Sequence, residues 1–331
     1  MRVAKGVEHG MKYQRLVMIF SFLLLMLSAC SQAPLKGHIE KVGLLVPDTI
    51  NDQVWGTKGY KGLLNIQSTF GVDVYYKEGM VDKEKIVDAI EEFHKKGVNL
   101  IIGHGNEYSE IFNLISEDYP KTQFITVNGG KPQADNVTNV TFKGEAMGFF
   151  GGMTAAHMSK TKKIGILATY DWQSEVDGFI KGAKYQDEHV QVLAEFVENW
   201  DDADKAVNLY QKLKKQGVDV VYPAGDGYNI PVIEQIKNDN LSAIGYVTDQ
   251  SNLGSHTVLT STVQHVDKAY SIIAKKFNEG KLNEQGEYSF DFKEGVIEMG
   301  KFSSTIDRAF VKDIEKDIAN YKKTGKLPNE K

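Results

Sequence analysis

The stretch GEAMGFFGGMTAAHMSKTKKIGILA, residues 144–168, divides the chain into two series of strands and helices. Its first part, residues 144–159, is rich in Gly, Ala and Met, so we expect it to pack closely on its neighbours. Its last part, residues 163–168, is a short apolar run, as expected of a strand that is buried on both faces. The alternation of strands and helices restarts after residue 161, so we expect two lobes of similar build joined near residues 145–162.

The predicted elements have the same alternating order on both sides of this junction. The first series has predicted strands at 42–46, 72–76, 99–102, 123–127 and 137–142, with helices at 51–69, 82–96 and 108–118. The second has strands at 163–168, 190–197, 218–223, 242–247 and 258–263, helices at 174–185, 201–216, 230–238, 266–279 and 305–323, and a hairpin over 288–302. This order predicts an α/β fold in which each lobe is a doubly wound, mainly parallel sheet flanked by helices. We place the first lobe at 40–160 plus about 262–286, and the second at 161–261 plus about 287–331.

Composition excludes several classes of protein. The chain has 331 residues, of which 41% are hydrophobic and 25% charged, which excludes a multi-span membrane protein and wholesale disorder. Its net charge of −5 lacks the basic footprint of a dedicated DNA-binding domain. One cysteine cannot form an internal disulfide, and with only eight scattered histidines we predict no structural zinc site and no cofactor.

The N-terminal residues are typical of a secretory signal. Lys12 and Arg15 precede a 12-residue apolar run, which is shorter than a bilayer span and is followed by Ser28, Ala29 and Cys30. Leu27–Cys30 resembles the lipobox of bacterial lipoproteins, in which lipid is attached to the cysteine and the chain is cut just before it. We therefore expect a signal peptide at 1–29, a lipid on Cys30 and a tether at 30–39; a signal peptide without lipid is the alternative.

Candidate ligand-binding residues follow the predicted strands, because ligands of open α/β sheets bind beyond the carboxyl ends of the strands. Asn51 and Asp52 follow the first strand, with Trp55 one helical turn later, and Trp200 takes a similar place in the second lobe. The two tryptophans could sandwich a planar ring, or they could belong to the core. Asn51 and Asp52 could equally cap the helix that follows them.

Other candidates are less distinctive. Gly225 and Asp226 lie in a glycine-containing turn that either lets the backbone approach a ligand or simply connects a strand to a helix. His104 follows a strand and could form a hydrogen bond to a ligand. The sequence has no GxSxG or HExxH motif and no cysteine placed as a nucleophile, so we predict that the protein is not an enzyme.

Several stretches together resemble the Bmp family of basic membrane lipoproteins, whose purine-nucleoside-binding members serve ABC importers. The similarity covers residues 41–302, and its distinctive parts are 51–62, 144–166, 199–206, 219–228, 244–250 and 258–267. It implies a two-lobed fold of the type I periplasmic-binding-protein kind, a small-molecule cleft and an ABC permease as a partner. Within the family the similarity extends most closely to members that are positive regulators of competence genes, which implies a regulatory role.

The resemblance also marks positions where this chain departs from the nucleoside binders. Those relatives have an aspartate where Val247 stands here and a lysine where Gln264 stands, and an acidic position after the fourth strand is Asn128 here. Asp249, in the stretch 244–250, remains a further candidate. Because charge-assisted hydrogen bonds contribute roughly 1.5–3 kcal/mol each, losing two would lower the affinity for a sugar-containing ligand by about 10²–10⁴-fold. We therefore expect the aromatic residues that would stack on a ring, Trp55 and Trp200, to be retained. The charged pair that would bind the sugar, which we call the sugar clamp, is altered here to Val247 and Gln264.

Three functions remain open on the sequence. The first is a lipid-anchored binding protein that feeds a permease or senses a small planar ligand, such as a purine nucleoside, by closing its cleft. The second is a regulator of gene expression that has lost nucleoside binding; we expect it to act from the membrane, because a signal sequence and lipobox stand where related repressors carry a DNA-binding module. The third, an enzyme acting on nucleosides, has no nucleophile or metal motif in its favour.

Overall fold

The structure is a computed structural model that describes residues 37–52, 54–283 and 286–330. The predicted signal peptide, Cys30 and the tether up to residue 36 lie outside these residues. In the described ranges, no helix combines the length and the apolar character that crossing a bilayer requires.

The first sheet has six parallel strands in the order β11-β5-β4-β3-β1-β2. Its strands are β1 (Lys41–Leu45), β2 (Asp73–Lys77), β3 (Leu100–Gly103), β4 (Gln123–Val127), β5 (Val137–Phe142) and β11 (Glu287–Phe290). The second sheet has the order β12-β10-β9-β8-β6-β7 and is parallel except for β12. Its strands are β6 (Lys163–Ala168), β7 (Gln191–Phe196), β8 (Val220–Ala224), β9 (Ser242–Val247), β10 (Val258–Gln264) and β12 (Ile297–Met299).

Helices cover both faces of each sheet. They are α1 (Trp55–Phe70), α2 (Lys83–Lys95), α3 (Tyr108–Ile115), α4 (Gly144–Met158), α5 (Ser174–Gln186), α6 (Ala203–Lys215), α7 (Asn229–Asn238), α8 (Val266–Asn278) and α9 (Arg308–Thr324). Short 3₁₀ turns lie at Ser116–Asp118, Ser251–Leu253 and Phe292–Glu294.

Alternate residues of a strand face different cores, which is why the strands are continuous apolar runs. In β1, Val42 and Leu44 belong to a core shared with α1 and α8, while Leu45 belongs to one shared with α2 and α3. The second sheet is enclosed in the same way, by α4, α5 and α9 on one face and by α6 and α7 on the other. The predicted two-lobed, doubly wound α/β fold is therefore confirmed.

The chain crosses between the lobes three times, and this corrects the predicted boundaries. Helix α4 packs in the core of the second sheet, β10 is paired with β9 of that sheet, and α8 returns to the core of the first. The predicted hairpin over 288–302 is wrong, because β11 pairs with β5 of the first sheet and β12 pairs with β10 of the second. Between them Asp291 caps a short 3₁₀ turn and accepts a hydrogen bond from the Tyr321 hydroxyl at 2.8 Å, which fixes the third crossing.

Helices α4 and α5 approach each other backbone to backbone. A Cβ atom built on Gly148 or Gly152 would overlap the carbonyl oxygen of Glu175 or Phe179, respectively. The relation is reciprocal, since a Cβ on Gly182 would overlap the carbonyl oxygen of Phe149. The Gly-rich composition of the junction is therefore required by a helix contact that leaves no space for a methyl group.

Candidate ligand-binding cleft

The loops that follow β1 and β8 meet where the two lobes face each other. Asp226, in the loop after β8, is buried near Asp52, in the loop after β1, and both its burial and that carboxylate raise the pKa of Asp226. Val54, next to Trp55, is buried in the core of the second lobe, and Trp55 packs against the cores of both lobes. The structure therefore brings the predicted residues Asp52 and Asp226 near each other across the cleft.

Asp52 caps helix α1. Its carboxylate accepts hydrogen bonds from the backbone N–H groups of Val54 at 3.0 Å, Thr57 at 2.9 Å and Gly56. A helix N-terminus has unpaired N–H groups, and a carboxylate placed there satisfies them and stabilises the helix dipole. Of the two interpretations of this residue, capping is the one that the geometry supports. Asn51 is exposed, and its backbone N–H donates to the Thr49 hydroxyl at 3.2 Å.

Trp55 is held in place by His104. The two rings stack with centroids 4.2 Å apart, and the indole N–H donates to the His104 carbonyl oxygen at 3.2 Å. His104 Nε2 lies 2.8 Å from the Trp55 carbonyl oxygen, and Nδ1 lies 2.5 Å from the Tyr270 hydroxyl. Because a carbonyl can only accept, Nε2 carries the proton and Nδ1 accepts from Tyr270.

Burial keeps this histidine neutral. His104 is fully buried, and burial lowers its pKa to about 4. Gly59 gives the ring its space, since a Cβ there would lie 2.7 Å from His104 Cδ2. With both ring nitrogens bonded within the chain, His104 positions Trp55 and has no ring nitrogen left for a ligand.

Trp200 belongs to an aromatic group on the second lobe. Its ring meets Tyr170 edge-on at 5.8 Å, and Tyr170 stacks on Trp172 at 5.3 Å. Trp172 is 63% exposed. The amide of Gln173 fixes this turn, because it accepts from the N–H groups of Thr169 and Tyr170 and donates to Ala224.

Among the described residues, the rings that contact the two predicted tryptophans are His104 for Trp55 and Tyr170 for Trp200. Tyr170 and Trp172 were missed from the sequence, although two aromatic residues directly after β6 were a usable signal.

Gly225 is required by its neighbour. A Cβ there would overlap the ring of Tyr228, whose hydroxyl contacts the Thr169 hydroxyl at 3.1 Å. Asp226 has one buried carboxyl oxygen, Oδ1, without a hydrogen-bond partner in the described structure. Burial raises its pKa well above the usual range, and the nearby carboxylates of Asp52 and Asp201 raise it further.

The altered clamp positions have distinct environments. Val247 is 2% exposed and has a φ of 63°, a left-handed conformation that is strained for a β-branched residue. Gln264 is 4% exposed, and its Oε1 atom has no partner among the described residues. Asp249 is exposed and accepts from the N–H groups of Ser251 at 3.0 Å and Lys301 at 3.2 Å, so it joins its own loop to the segment after β12.

Asn128 is also exposed and left-handed, with a φ of 55°, and its N–H donates to the Val140 carbonyl oxygen at 2.7 Å. Over the described ranges, no group of three or more His, Cys, Asp or Glu side chains is arranged to hold a metal ion.

The sequence model of one protein family, Bmp, described as "ABC transporter substrate-binding protein PnrA-like", matches residues 39–331. The chain belongs to the Bmp family. The resemblance stated from sequence motifs is therefore confirmed, and the family description is that of a binding protein.

Individual Bmp-type relatives carry two kinds of name. The chain is 64% identical over 314 residues to the "Transcriptional activator protein med" of Bacillus subtilis (strain 168), which covers 95% of this chain and 98% of that protein. It superimposes with a TM-score of 0.81 on the crystal structure of a transcriptional activator of the comK gene from Bacillus halodurans, at 47% identity over 87% of this chain and 99% of the other. It is 25% identical to the "ABC transporter nucleoside-binding protein BmpA" of Lactococcus lactis subsp. cremoris (strain MG1363), covering 77% of this chain and 80% of the relative. The predicted similarity to regulatory members of the family is thus also confirmed.

Proposed function

We propose that this Bmp-family protein is a lipid-anchored receptor on the outer face of the cytoplasmic membrane whose cleft binds a small planar ligand such as a nucleoside. The observation that carries the proposal is the position of Trp55. Its ring lies where the cores of both lobes meet, at the carboxyl end of the first sheet, and is oriented by the buried His104. A preoriented aromatic ring at the junction of two lobes is suited to stack on a planar ligand as the lobes close.

The buried Gln264 supports a polar contact to a ligand. Its carbonyl oxygen has no partner among the described residues, and a buried acceptor without a donor is costly unless something supplies one. A ligand hydroxyl or N–H group would do so. The nucleoside-binding name of the Lactococcus relative agrees with this chemistry, while Val247 removes a charged partner that the resemblance assigns to nucleoside binders.

A thermal-melt screen of purified full-length protein in detergent tests this proposal. A nucleoside at 100 times its Kd stabilises by about 2.7 kcal/mol and should raise the melting temperature by several degrees. Trp55→Ala should abolish the shift, whereas Leu114→Ala, which removes an exposed apolar side chain from α3, should leave it intact. A shift that survives Trp55→Ala would place the ligand elsewhere, and no shift with any nucleoside or base would contradict a nucleoside ligand.

Membrane attachment through Cys30 is the second part of the proposal. Mass spectrometry of the protein from its host should show a lipid on an N-terminal Cys30, and Cys30→Ser should release the protein from the membrane fraction. An unmodified Cys30 in membrane-bound protein would contradict the lipid anchor.

A second candidate function is regulation of gene expression, and the names of the Bacillus relatives favour it. We propose that such a signal passes through a membrane partner, a permease or a regulatory protein, without direct DNA binding and without catalysis. Mobility-shift assays at moderate salt provide the test. A specific nanomolar complex with DNA would replace the membrane route by direct regulation.

A further inference from the structure

Strand β2 forms one edge of the first sheet, and β1 is its neighbour there. The Val46 N–H donates to the Lys77 carbonyl oxygen at 3.0 Å, so residues 73, 75 and 77 direct their backbone groups toward β1. Val74 and Tyr76 therefore direct their N–H and C=O groups away from the sheet. Within the described part of the chain, no further strand pairs with this edge.

Apolar side chains lie along the same edge. Tyr76 is 43% exposed, and its ring meets the ring of Tyr60, on α1, edge-on at 5.1 Å. Leu64 lies one helical turn beyond Tyr60 on the same face of α1 and is 37% exposed. Val74 is half-buried and shares the face of the sheet on which Tyr76 lies. An edge strand with exposed apolar neighbours is a template for pairing with another chain.

Opposite charges stand at the two ends of β2. Asp73 and Lys77 are four residues apart, so their side chains lie on one face of the sheet, the face that α2 covers. Of the four described edge strands, β2, β7, β11 and β12, β2 alone begins with an acidic residue and ends with a basic one. This edge therefore has a charge pattern that its own copy can complement.

Both charged side chains have partners within the chain and remain accessible to a further one. Lys41 Nζ lies 4.0 Å from the carboxylate of Asp73, whose side chain is 72% exposed. Lys77 contacts Glu92 of α2, and its side chain is 31% exposed. A carboxylate accepts several hydrogen bonds and an ammonium group donates three, while exposed ion pairs of this kind contribute little by themselves.

Two copies of β2 match each other in one antiparallel register. When the pair is centred on Tyr75, Asp73 of each copy lies opposite Lys77 of the other, and Val74 lies opposite Tyr76. Val74 and Tyr76, whose backbone groups are directed outward, then exchange both of their backbone hydrogen bonds. A shift of the register by two residues in either direction removes both ion pairs, so the charges select this register.

We propose that β2 is the contact of a symmetric homodimer, in which two copies of this chain join their first sheets edge to edge. The occupant of the edge is a second copy, because the charges and the outward backbone groups of β2 are complementary to those of another β2. A strand of five residues with few side chains beside it makes a small interface. We therefore expect a weak, reversible dimer whose population depends on protein concentration.

Pairing at this edge also reaches the candidate cleft. Glu78, directly after β2, accepts from the Thr49 hydroxyl and from the Ile50 N–H, both at 2.9 Å. The loop 47–52, which carries Asp52, is therefore held by the residue that follows the dimer contact. The contact itself lies outside the cleft and does not depend on the proposed ligand.

Energy transfer between differently labelled copies tests the dimer. Dyes would be attached at Glu110→Cys, an exposed position on α3 outside the contact, in the full chain with Cys30→Ser in detergent. Mixed donor and acceptor copies should show transfer that rises with protein concentration. Asp73→Lys alone and Lys77→Glu alone should each lose most of it, because like charges then face each other at both ends of the pair.

The decisive sample mixes these two variants. A donor-labelled Asp73→Lys copy and an acceptor-labelled Lys77→Glu copy again have opposite charges at both ends, so transfer should return to the parent level. Glu195→Lys is the matched control, because it reverses a charge on β7, an edge strand of the second sheet. It should reproduce the parent curve.

The dimer would be overturned by absence of transfer in the parent, by parent-like transfer in either single variant, or by no recovery in the mixture. If Lys77→Glu does not fold because it faces Glu92, Asp73→Lys and Val74→Pro decide. Proline removes an outward N–H group and leaves the pairing with β1 in place, so Val74→Pro should also lose the transfer. Parent-like transfer in Val74→Pro would equally overturn the dimer.

Discussion

Two adjacent glycines of helix α4 should respond in opposite ways to the same substitution. A Cβ on Gly152 would overlap the carbonyl oxygen of Phe179 and lie 2.9 Å from the Ala183 nitrogen, both in the backbone of α5. A Cβ on Gly151 would meet only two methyl groups, of Ile244 at 3.5 Å and Thr262 at 3.8 Å, which are ordinary contacts.

Gly151→Ala should therefore stabilise the protein by about 0.5–1 kcal/mol, because alanine restricts the unfolded chain and favours the helix. Gly152→Ala gains the same helix propensity but forces α4 and α5 apart, and overpacking costs about 1–3 kcal/mol even against flexible side chains. Backbone cannot move aside as a side chain does, so we expect a net loss toward the upper end of that range.

Melting temperature in scanning calorimetry separates the two variants. One kcal/mol corresponds to roughly 2–4 °C in a domain of 150–250 residues, so Gly151→Ala should melt several degrees above Gly152→Ala and slightly above the parent. Gly152→Ala should also weaken ligand binding, since α5 follows the turn that carries Tyr170 and Trp172. Equal melting temperatures for the two variants would refute the backbone contact between the helices.

Three further predictions concern the cleft. Tyr270→Phe leaves Nδ1 of the buried His104 without its hydrogen-bond donor, so the free energy of unfolding measured in urea should fall by about 1–3 kcal/mol. A loss below roughly 0.5 kcal/mol, which is about the uncertainty of such measurements, would contradict the hydrogen bond. The pKa of His104 is lowered to about 4, so the unfolded chain binds a proton at this residue more tightly than the folded protein does. The resulting contribution of about 3 kcal/mol to the free energy of unfolding should be complete above pH ~6.5 and be lost as pH falls toward 4. His104→Gln should remove that part of the pH dependence, and an unchanged profile would exclude His104 as the titrating group. Val247→Asp combined with Gln264→Lys should raise the affinity for a nucleoside by about 10²–10⁴-fold in calorimetric titration. Each single variant serves as a control. If the double variant shows no gain in affinity, these two positions do not form the sugar clamp.

The alternation of apolar runs was sufficient to predict the two sheets, because a parallel strand covered on both faces has a sequence signature that depends on local burial alone. Strands such as β4, β5, β6 and β9 begin and end at the predicted residues. The error over 288–302 has a different origin. Two short strands separated by Gly295 satisfy the local rules for a hairpin, and only the long-range pairing of β11 with β5 and of β12 with β10 distinguishes a crossing from a turn.

The same limit applies to the cleft. The position of Trp55 after the first strand indicated a residue at the lobe junction, since strand ends are fixed by the topology. Its partner could not be predicted, because His104 lies 49 residues away and Tyr270 belongs to a helix that returns from the other lobe. For Asp226, sequence identified a turn, while its burial near Asp52 of the other lobe depends on how the two lobes pack.

The order of strands along the chain also determines when each lobe can be completed during synthesis. The edge strand β11 of the first sheet comes after every strand of the second sheet except β12, and α9 follows both. Neither lobe is therefore whole until the last 45 residues, 287–331, have emerged. Many multidomain proteins fold from the N-terminus in completed units, but here the two lobes have to close their sheets together at the end of the chain. A truncation after residue 286 would thus deprive both lobes of an edge strand, and would leave two incomplete sheets in place of one finished lobe.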